Sequence, residues 1–313
     1  MIERVRRSLP EQGGSYFSRP SKRECIKSGC TLLDLILGGG WALGRISNVV
    51  GDKAVGKTLL AIEAAANFAA KYENGKVWYR EAEAAFDKDY AAALGMPLDR
   101  VDFGKRKFDT VEDIFEDMES KIDWAEDHKA PGLYIVDSLD ALSDRKEMAR
   151  EIGEQGYHLE KQKLMGVLFR KLIRRVDETN IHVMFISQVR DKIGVTFGDR
   201  HTRSGGKALD FYASQILFLS HIGQISKTVK GSKRVVGVNI KAKCKKNKVG
   251  LSFRNCEFPL MFGWGIDDAT ANINYLKAAK QPIPDTDVDL RVSVRKHWRS
   301  VETSLLPKGR KYQ

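Results

Sequence analysis

The chain has 313 residues, of which 42% are hydrophobic and 30% charged, and its formal net charge is +12. These values are those of a soluble globular protein, and no run approaches the roughly 18 apolar residues that a membrane helix needs, so we expect no membrane association. The excess of positive charge favours a polyanionic partner. Four cysteines without metal-ligand spacing, and an N-terminus without an apolar segment, favour a cytoplasmic setting.

The first 25 residues are predicted to form an irregular arm. They contain six Lys/Arg and are interrupted by proline and glycine. Such a pattern is typical of a basic segment without regular structure.

Residues 51–58 (GDKAVGKT) match the phosphate-loop pattern G-x-x-x-x-G-K-[ST]. A short apolar strand is predicted before the motif, at residues 45–50, and an Ala/Leu-rich helix after it, at residues 59–72. In this setting backbone N–H groups and the helix N-terminus bind phosphate oxygens. Lys57 would reach the β- and γ-phosphates, and the Thr58 hydroxyl would bind Mg²⁺. The residues assigned to the nucleotide here are Gly51, Asp52, Lys53, Ala54, Val55, Gly56, Lys57, Thr58 and Leu59.

Two acidic residues follow the next predicted strand, residues 76–81. Functional groups collect at the carboxyl ends of strands in open α/β sheets. A carboxylate there can polarise the water that attacks a γ-phosphate. The spacing does not choose between Glu81 and Glu83.

An amphipathic helix is predicted over residues 109–129, which contain nine acidic residues and two lysines. Its acidic face is expected to be solvated, or alternatively to meet a basic surface of a neighbouring subunit. The apolar strand at residues 132–137 then ends in Asp137. At about 80 residues after a phosphate loop, this aspartate is expected beside Mg²⁺, through water or Thr58.

The next segments alternate between loops and regular elements. Residues 147–163 are predicted to be a mobile loop, residues 164–176 a basic amphipathic helix, and residues 181–187 a buried strand. Gln188 ends this strand, where it can sense a γ-phosphate and move the loop that follows. That loop, residues 190–207, is basic and glycine-rich and contains Ile193, Val195 and Phe197. Its cationic groups would pair with phosphates and its apolar side chains could insert between bases.

Two further strands are predicted at residues 215–220 and 235–243. Residues 226–256 contain ten Lys/Arg and no acidic residue. Because these charges repel each other, the run predicts a bound anion. Residues 282–313 are predicted to be a tail or a small appended element.

Several of these segments together resemble the RecA family of homologous-recombination ATPases, the bacterial and bacteriophage members most closely. The resemblance covers about residues 26–266. The matching segments are AEAAFDKDYAAALG, YIVDSLDAL, FISQVRDKIGVTFG, SGGKALDFYAS and KCKKNKV. It implies an α/β fold: a RecA-like P-loop NTPase core with a mostly parallel central sheet flanked by helices. We therefore divide the chain into the basic arm (1–25), this core with two DNA-binding loops (about 147–163 and 190–207), and a reduced C-terminal element with a basic tail (267–313).

The resemblance also implies roles for individual residues. It places the catalytic carboxylate on Glu83, base contacts on Asp87 and Tyr90, and Ser138 beside Asp137. The catalytic set it implies is Glu83, Lys57, Gln188, Lys246 and Lys248. Phe211 would contact a neighbouring subunit, and the two lysines at 246 and 248 would reach that neighbour's ATP. The predicted DNA-binding residues are Arg170, Arg190, Lys192, Ile193, Gly194, Phe197, Arg200, Arg203, Gly205, Gly206 and Lys207.

The implied function is an ATP- and Mg²⁺-dependent DNA recombinase. It would form a helical filament, or rings, on single-stranded DNA and exchange strands with homologous duplex DNA. Alternatives are a RecA-like paralogue that acts as a mediator or annealing factor without strand exchange, a hexameric helicase with the same core, and a non-catalytic DNA-binding or filament-forming protein. Two departures from the family stand out: residues 1–25 lack the usual oligomerisation helix and strand, and the tail is basic instead of acidic. The basic tail predicts easier loading onto duplex DNA, and the short layout resembles a bacteriophage member.

Overall fold

The structure, a computed structural model, describes residues 23–149, 159–191, 201–203 and 206–305. Its strands in chain order are β1 (Cys25–Ile26), β2 (Trp41–Ala42), β3 (Ile46–Gly51), β4 (Lys76–Glu81), β5 (Val101–Asp102), β6 (Gly132–Asp137), β7 (Ile181–Asp191), β8 (His201–Arg203), β9 (Gln215–Val229), β10 (Ser232–Asn247), β11 (Arg254–Met261) and β12 (Gly265–Ile266). Its α-helices are α1 (Thr31–Leu37), α2 (Lys57–Lys71), α3 (Lys88–Ala93), α4 (Val111–His128), α5 (Arg145–Met148), α6 (Leu159–Glu178), α7 (Gly206–Tyr212), α8 (Asp268–Ala278) and α9 (Asp287–Leu305).

One large sheet organises the fold. Its strand order is β12-β11-β10-β9-β3-β7-β6-β4-β5, and β8 pairs with β7 off this path. Strands β9, β3, β7, β6, β4 and β5 pair in parallel, whereas β9 to β12 pair antiparallel. This architecture confirms the predicted α/β class with a mostly parallel central sheet.

Alternate side chains of each central strand pack on opposite faces, because the side-chain period of a strand is two. In β6, Leu133 and Ile135 join one core with helices α1, α2, α8 and α9. Tyr134 and Val136 join the other core, with α4, α6 and α7. Parallel strands covered on both faces read as continuous apolar runs, which is why the central strands could be predicted from sequence.

The acidic helix α4 lies where an amphipathic helix was predicted, and part of its acidic face is paired within the chain. Arg175 of α6 pairs with Glu126 at 2.8 Å and with Asp123. Arg145 of α5 pairs with Glu116 at 2.7 Å and with Asp113 at 3.0 Å.

The predicted bounds of the loop at residues 147–163 are wrong at both ends. Helix α5 includes residues 147–148, and α6 begins at Leu159 instead of residue 164; residues 150–158 lie outside the described part. The earlier start has a tertiary cause that periodicity does not reveal. The Lys161 ammonium donates to the carbonyl oxygens of Leu139, at 3.3 Å, and Leu142, which tie the first turn of α6 to the segment after β6.

The loop predicted at residues 190–207 is likewise shorter. Strand β7 continues to Asp191, β8 pairs antiparallel with it, and α7 begins at Gly206. Pairing with β8 satisfies backbone groups that a loop would leave to water. Residues 192–200 and 204–205 lie outside the described part.

Of the two forms predicted for residues 282–313, a tail or a small appended element, the described residues up to 305 fit the appended element. Helix α9 packs through the buried side chains of Leu290 and Val294, and Arg254 of β11 makes two 2.6 Å hydrogen bonds to Glu302. The Thr286 hydroxyl accepts a hydrogen bond from the Asp289 N–H and begins the helix. At the other end, the predicted boundary at residue 25 falls inside β1, which pairs with β2.

A buried histidine makes the stability of this fold pH-dependent. His182 on β7 lies 2.9 Å from the Ser47 hydroxyl and 2.8 Å from the Ala42 carbonyl oxygen, and burial lowers its pKa to about 4. The unfolded chain therefore binds more protons than the folded one below about pH 6.5, so stability is complete above that pH and falls as the pH approaches 4.

We expect the free energy of unfolding to fall by about 2 kcal/mol through His182 between pH 7 and pH 5. Urea denaturation at the two pH values measures it. His182→Gln should reduce the difference by that amount, and His221→Gln, at an exposed position, should not. Equal pH slopes in both variants would contradict the assignment.

Candidate functional site

The phosphate-loop motif lies between β3 and α2, at the carboxyl end of the parallel sheet. Ala54 and Gly56 have positive φ angles of 58° and 84°. A Cβ atom at Gly51 would lie 2.6 Å from Val55 Cγ2 and 2.9 Å from the Leu219 carbonyl oxygen, so glycine is required by close packing. The loop therefore has the tight backbone path that the motif predicts.

The loop borders a cavity of 430 Å³. Its lining combines residues of the phosphate loop and the start of α2 with residues from or just after β4, β6, β7 and β11 and one residue of α3. These residues are Lys53, Ala54, Gly56, Lys57, Thr58, Leu59, Glu83, Tyr90, Asp137, Gln188, Leu260 and Phe262. Tyr90, predicted to contact the base, lies on this wall. Asp87, predicted with it, is not part of the lining and instead accepts a 2.9 Å hydrogen bond from the Tyr90 N–H at the start of α3.

Asp137 lies at the floor of the cavity and is held by two hydroxyl groups. The Thr58 hydroxyl donates to Oδ2 at 2.8 Å and the Tyr79 hydroxyl donates to the same atom at 2.7 Å. Burial raises the pKa of Asp137 although both hydrogen bonds oppose the shift. A cation would stabilise the carboxylate here, so the pair of Thr58 and Asp137 fits Mg²⁺. The contribution of Tyr79 was not predicted, because a buried tyrosine in a strand usually indicates core packing.

Lys57 lies at the mouth of the loop, where its ammonium donates to the Asp52 carbonyl oxygen at 2.6 Å. Burial lowers the pKa of this lysine, and the charges of Asp137 and Glu83 oppose the shift. An anion in the cavity would restore its preference for the charged form. The lysine and the aspartate together suit a ligand that brings phosphates and a divalent cation at once.

The structure distinguishes the two carboxylates that the spacing left open. Glu83 lines the cavity: its Oε1 accepts hydrogen bonds from the Ser138 hydroxyl and, at 3.1 Å, from Gln188 Nε2. Glu81 is not part of the lining, and its Oε1 accepts a 2.9 Å hydrogen bond from the Ala85 N–H. Of these two glutamates, only Glu83 faces the cavity.

Gln188 connects this carboxylate to strand β7. Its side chain reaches Glu83, and its backbone N–H donates to Asp140 Oδ2 at 2.6 Å. The strand then leads into residues 192–200, which carry much of the predicted second DNA-binding loop. Asp140 was not predicted, and its position three residues after Asp137 gave no signal.

The predicted DNA-binding residues occupy different elements. Arg170 is exposed on α6, with a long 3.4 Å contact from Nε to the Gly166 carbonyl oxygen. Arg190 lies in β7, Arg203 in β8, and Gly206 and Lys207 in α7. The remaining predicted residues lie outside the described part: Lys192, Ile193, Gly194, Phe197, Arg200 and Gly205.

Two of the three predicted subunit-contact residues, Phe211 and Lys248, border one cavity. Phe211 has an exposed fraction of 70%. With Lys248 and Arg174 it borders this second cavity, of 870 Å³. Lys246 is expected to reach the ATP of a neighbouring subunit, and within its own chain its ammonium donates to the carbonyl oxygens of Asp210, at 2.5 Å, and Phe211, at 2.9 Å. These carbonyls end helix α7, where a cation is favoured.

The basic run at residues 226–256 is partly neutralised from outside the run. Lys241 pairs with Glu257 at 2.9 Å, and Arg254 with Glu302. Lys245 lies 3.7 Å from the centre of the Phe218 ring. The charge left for a bound anion to neutralise is therefore smaller than the ten Lys/Arg of the run indicate.

The fold and site define a class of protein. A glycine-rich loop joins strand β3 to a helix, and strand β7 separates β3 from the strand that ends in Asp137. This is the arrangement of an α/β protein with a P-loop core of the RecA type. Among the described residues no helix is both long and apolar enough to cross a lipid bilayer.

Comparison with known proteins specifies the family. The family described as RecA N-terminal domain matches residues 16–267. The chain is 33% identical to Protein RecA of Trichodesmium erythraeum over 294 residues, covering 92% of this chain and 74% of that protein. It is 36% identical to Protein RecA of Crocosphaera subtropica over 245 residues, 78% of this chain and 67% of that protein. It is 37% identical to Protein RecA of Nostoc punctiforme over 243 residues, which cover 78% of this chain and 64% of that protein. The chain belongs to the RecA family.

Proposed function

We propose that this protein is an ATP-dependent DNA recombinase that forms a filament on single-stranded DNA and promotes homologous pairing and strand exchange. The observation that carries the proposal is the hydrogen bond between Glu83 and Gln188. Among the described residues that line the cavity, Glu83 and Asp137 are the carboxylates, and this hydrogen bond joins Glu83 to the strand that leads into the predicted DNA-binding loop.

The nucleotide part of the proposal rests on the lining of the 430 Å³ cavity. Lys57 and the backbone of residues 51–58 would bind the β- and γ-phosphates, and Tyr90 and Phe262 offer aromatic rings for the base. Thr58 and Asp137 would hold Mg²⁺, which neutralises developing charge on the phosphates when bound. Glu83 would hold the attacking water and accept its proton, with Ser138 fixing the orientation of the carboxylate.

The coupling part rests on two contacts. Gln188 can exchange its hydrogen bond to Glu83 for one to a γ-phosphate, and this change would move the residues that follow β7. Lys246 donates to the end of α7, the helix that follows the same predicted loop. Both ends of the loop are therefore tied to groups proposed to contact ATP: Gln188 to the ATP of its own subunit, and Lys246 to the ATP of the neighbouring subunit.

Assembly is the third part. Phe211 is a large exposed apolar side chain, and Lys248 lies on the same surface. An exposed aromatic residue beside cationic groups is typical of an interface anchor. A head-to-tail contact of this kind generates an open helix when the rotation does not close a ring.

Joint-molecule formation tests the proposal directly. Single-stranded DNA is mixed with homologous or unrelated duplex, with ATP and Mg²⁺, at two salt concentrations. We expect joint molecules only with the homologous duplex. Hydrolysis stimulated by DNA without joint molecules would instead favour a mediator or annealing factor.

A further inference from the structure

The strands β9 and β10 continue beyond the sheet as a two-stranded ribbon, which we call the basic ribbon and define as residues 221–236. Pairing of β9 with β3 ends at Leu219, and pairing of β10 with β11 begins at Gly237. Between these points, among the described residues, the two strands pair with each other, and at the base of the ribbon the Phe262 N–H also donates to the Val236 carbonyl oxygen at 3.0 Å. The chain reverses at Lys230 and Gly231, both with positive φ. At about 3.3 Å per residue, nine residues of β9 extend the ribbon by roughly 25–30 Å.

The ribbon is exposed and carries charge of one sign. It contains Lys227, Lys230, Lys233 and Arg234 and no acidic residue. In the part of the chain that the structure describes, none of these four makes an ion pair, although Arg234 Nη1 donates to the Lys233 carbonyl oxygen at 3.0 Å. The residues of the ribbon are therefore not explained by burial in a core, and its four cations are not explained by ion pairs within the described part of the chain.

The register places two of the cations against each other. Lys227 lies directly opposite Arg234, so two like charges share one face of the ribbon. Like charges directly opposite in an antiparallel pair are destabilising, and an isolated two-stranded ribbon is itself only marginally stable. This pair reduces the stability of the ribbon unless an anion lies near it.

The charges also occupy both faces. Lys233 is one residue from Arg234 and pairs with Thr228, so its side chain points to the opposite face. A flat anionic surface would contact only one face. The major groove of duplex DNA is about 12 Å wide, admits a two-stranded β-ribbon, and has phosphates along both walls. A ribbon with cations on both faces and at its tip fits this groove.

We propose that the basic ribbon is a duplex-DNA-binding arm that enters the groove and contacts phosphates through Lys227, Lys230, Lys233 and Arg234. The ribbon leaves the sheet at its carboxyl edge, the side on which the nucleotide cavity lies, but none of its residues lines that cavity, so the arm is expected to bind duplex DNA without bound nucleotide. The inference rests on the proposed function only in that it takes DNA to be the polyanion. The exposed Val229, at 63%, adds an apolar contact beside the tip.

The test compares two triple variants of the full chain with equal loss of charge. K227Q/K230Q/K233Q removes three ribbon cations, and K105Q/K107Q/K129Q removes three exposed lysines elsewhere. Binding to a hairpin-capped 24-base-pair duplex is measured by fluorescence anisotropy without nucleotide, between 50 and 300 mM salt. Over about this range of salt concentration, the loss of affinity reports how many phosphates the protein contacts. Binding of each variant to single-stranded DNA is measured in parallel, in the presence of a non-hydrolysable ATP analogue.

We expect the ribbon variant to bind the duplex about tenfold or more weakly, with the slope of log K against log salt smaller by about 2 to 3, and the control variant to resemble wild type. The midpoint of thermal unfolding of the ribbon variant should not fall, because replacing Lys227 relieves the repulsion opposite Arg234. Equal duplex affinity in the two variants would overturn the inference. So would an equal loss of single-stranded DNA binding, or an equal loss of binding to phosphatidylserine vesicles.

Failure of this inference is separable from failure of the proposed function. If wild-type protein binds no single-stranded DNA with the ATP analogue, the proposed function fails. If wild type binds both DNA forms and the ribbon variant keeps its duplex affinity, only the ribbon inference is wrong.

Discussion

Glu83→Gln is expected to lower the rate of ATP hydrolysis by about 10²–10⁴-fold while nucleotide and DNA binding persist. The glutamine oxygen can still accept the hydrogen bonds that Glu83 receives from Ser138 and Gln188. It cannot accept a proton from water. The substitution therefore removes the proposed general base and keeps the local packing, and the defect should appear in kcat and not in the affinity for ATP. Steady-state phosphate release and equilibrium binding of a fluorescent ATP analogue separate the two.

Glu81→Gln is the matched control, since it removes a carboxylate two residues away. Glu81 bonds to the Ala85 N–H and does not line the cavity. We expect its hydrolysis rate to stay within about threefold of wild type, as for a substitution outside the reacting groups. A large loss in Glu81→Gln with little loss in Glu83→Gln would reverse the assignment.

The sequence pattern could not choose between Glu81 and Glu83. Both follow the same strand, and the position of a strand end does not specify which of two nearby side chains faces the cavity. The turn decides it: residue 84 has a positive φ of 54°, and Glu81 is held against the turn by Ala85. Resemblance to the family chose Glu83, and the geometry gives a physical reason for that choice.

The parts predicted well are those whose signal is local. The phosphate loop, the buried strands and helix α4 each carry a continuous motif or a regular period within one segment. Leu260 and Phe262 reach the cavity from β11 and the turn after it, some 200 residues along the chain from the loop. Residues 282–313 were predicted to be a tail or a small appended element because they contain three of the eight prolines and a basic end. Only the packing of α9 against α1 and α8 shows the role of this helix.

Lys246 raises a different question, because its present contacts and its proposed partner belong to different subunits. It donates to carbonyl oxygens at the end of α7 in its own chain. The family resemblance instead directs it to the ATP of a neighbour. Both can hold if assembly exchanges a neutral carbonyl partner for a charged phosphate, since hydrogen bonds between two ionised groups are the stronger ones. Lys246→Ala is then expected to lower DNA-stimulated hydrolysis by about 10²–10³-fold, the size of effect seen when one charge-stabilising donor is removed.

A loss of rate in Lys246→Ala alone does not distinguish catalysis from a weakened end of α7. Mixing it with Glu83→Gln does. If each site takes Glu83 from one subunit and Lys246 from the next, a random 1:1 mixture of two inactive variants rebuilds intact sites at roughly a quarter of the interfaces, as expected for head-to-tail contacts. We expect DNA-stimulated hydrolysis to recover to about that fraction of the wild-type rate. A structural defect in Lys246→Ala, or action within one subunit, gives no recovery. A mixture that stays inactive while both variants still bind DNA would contradict the action of Lys246 across the interface.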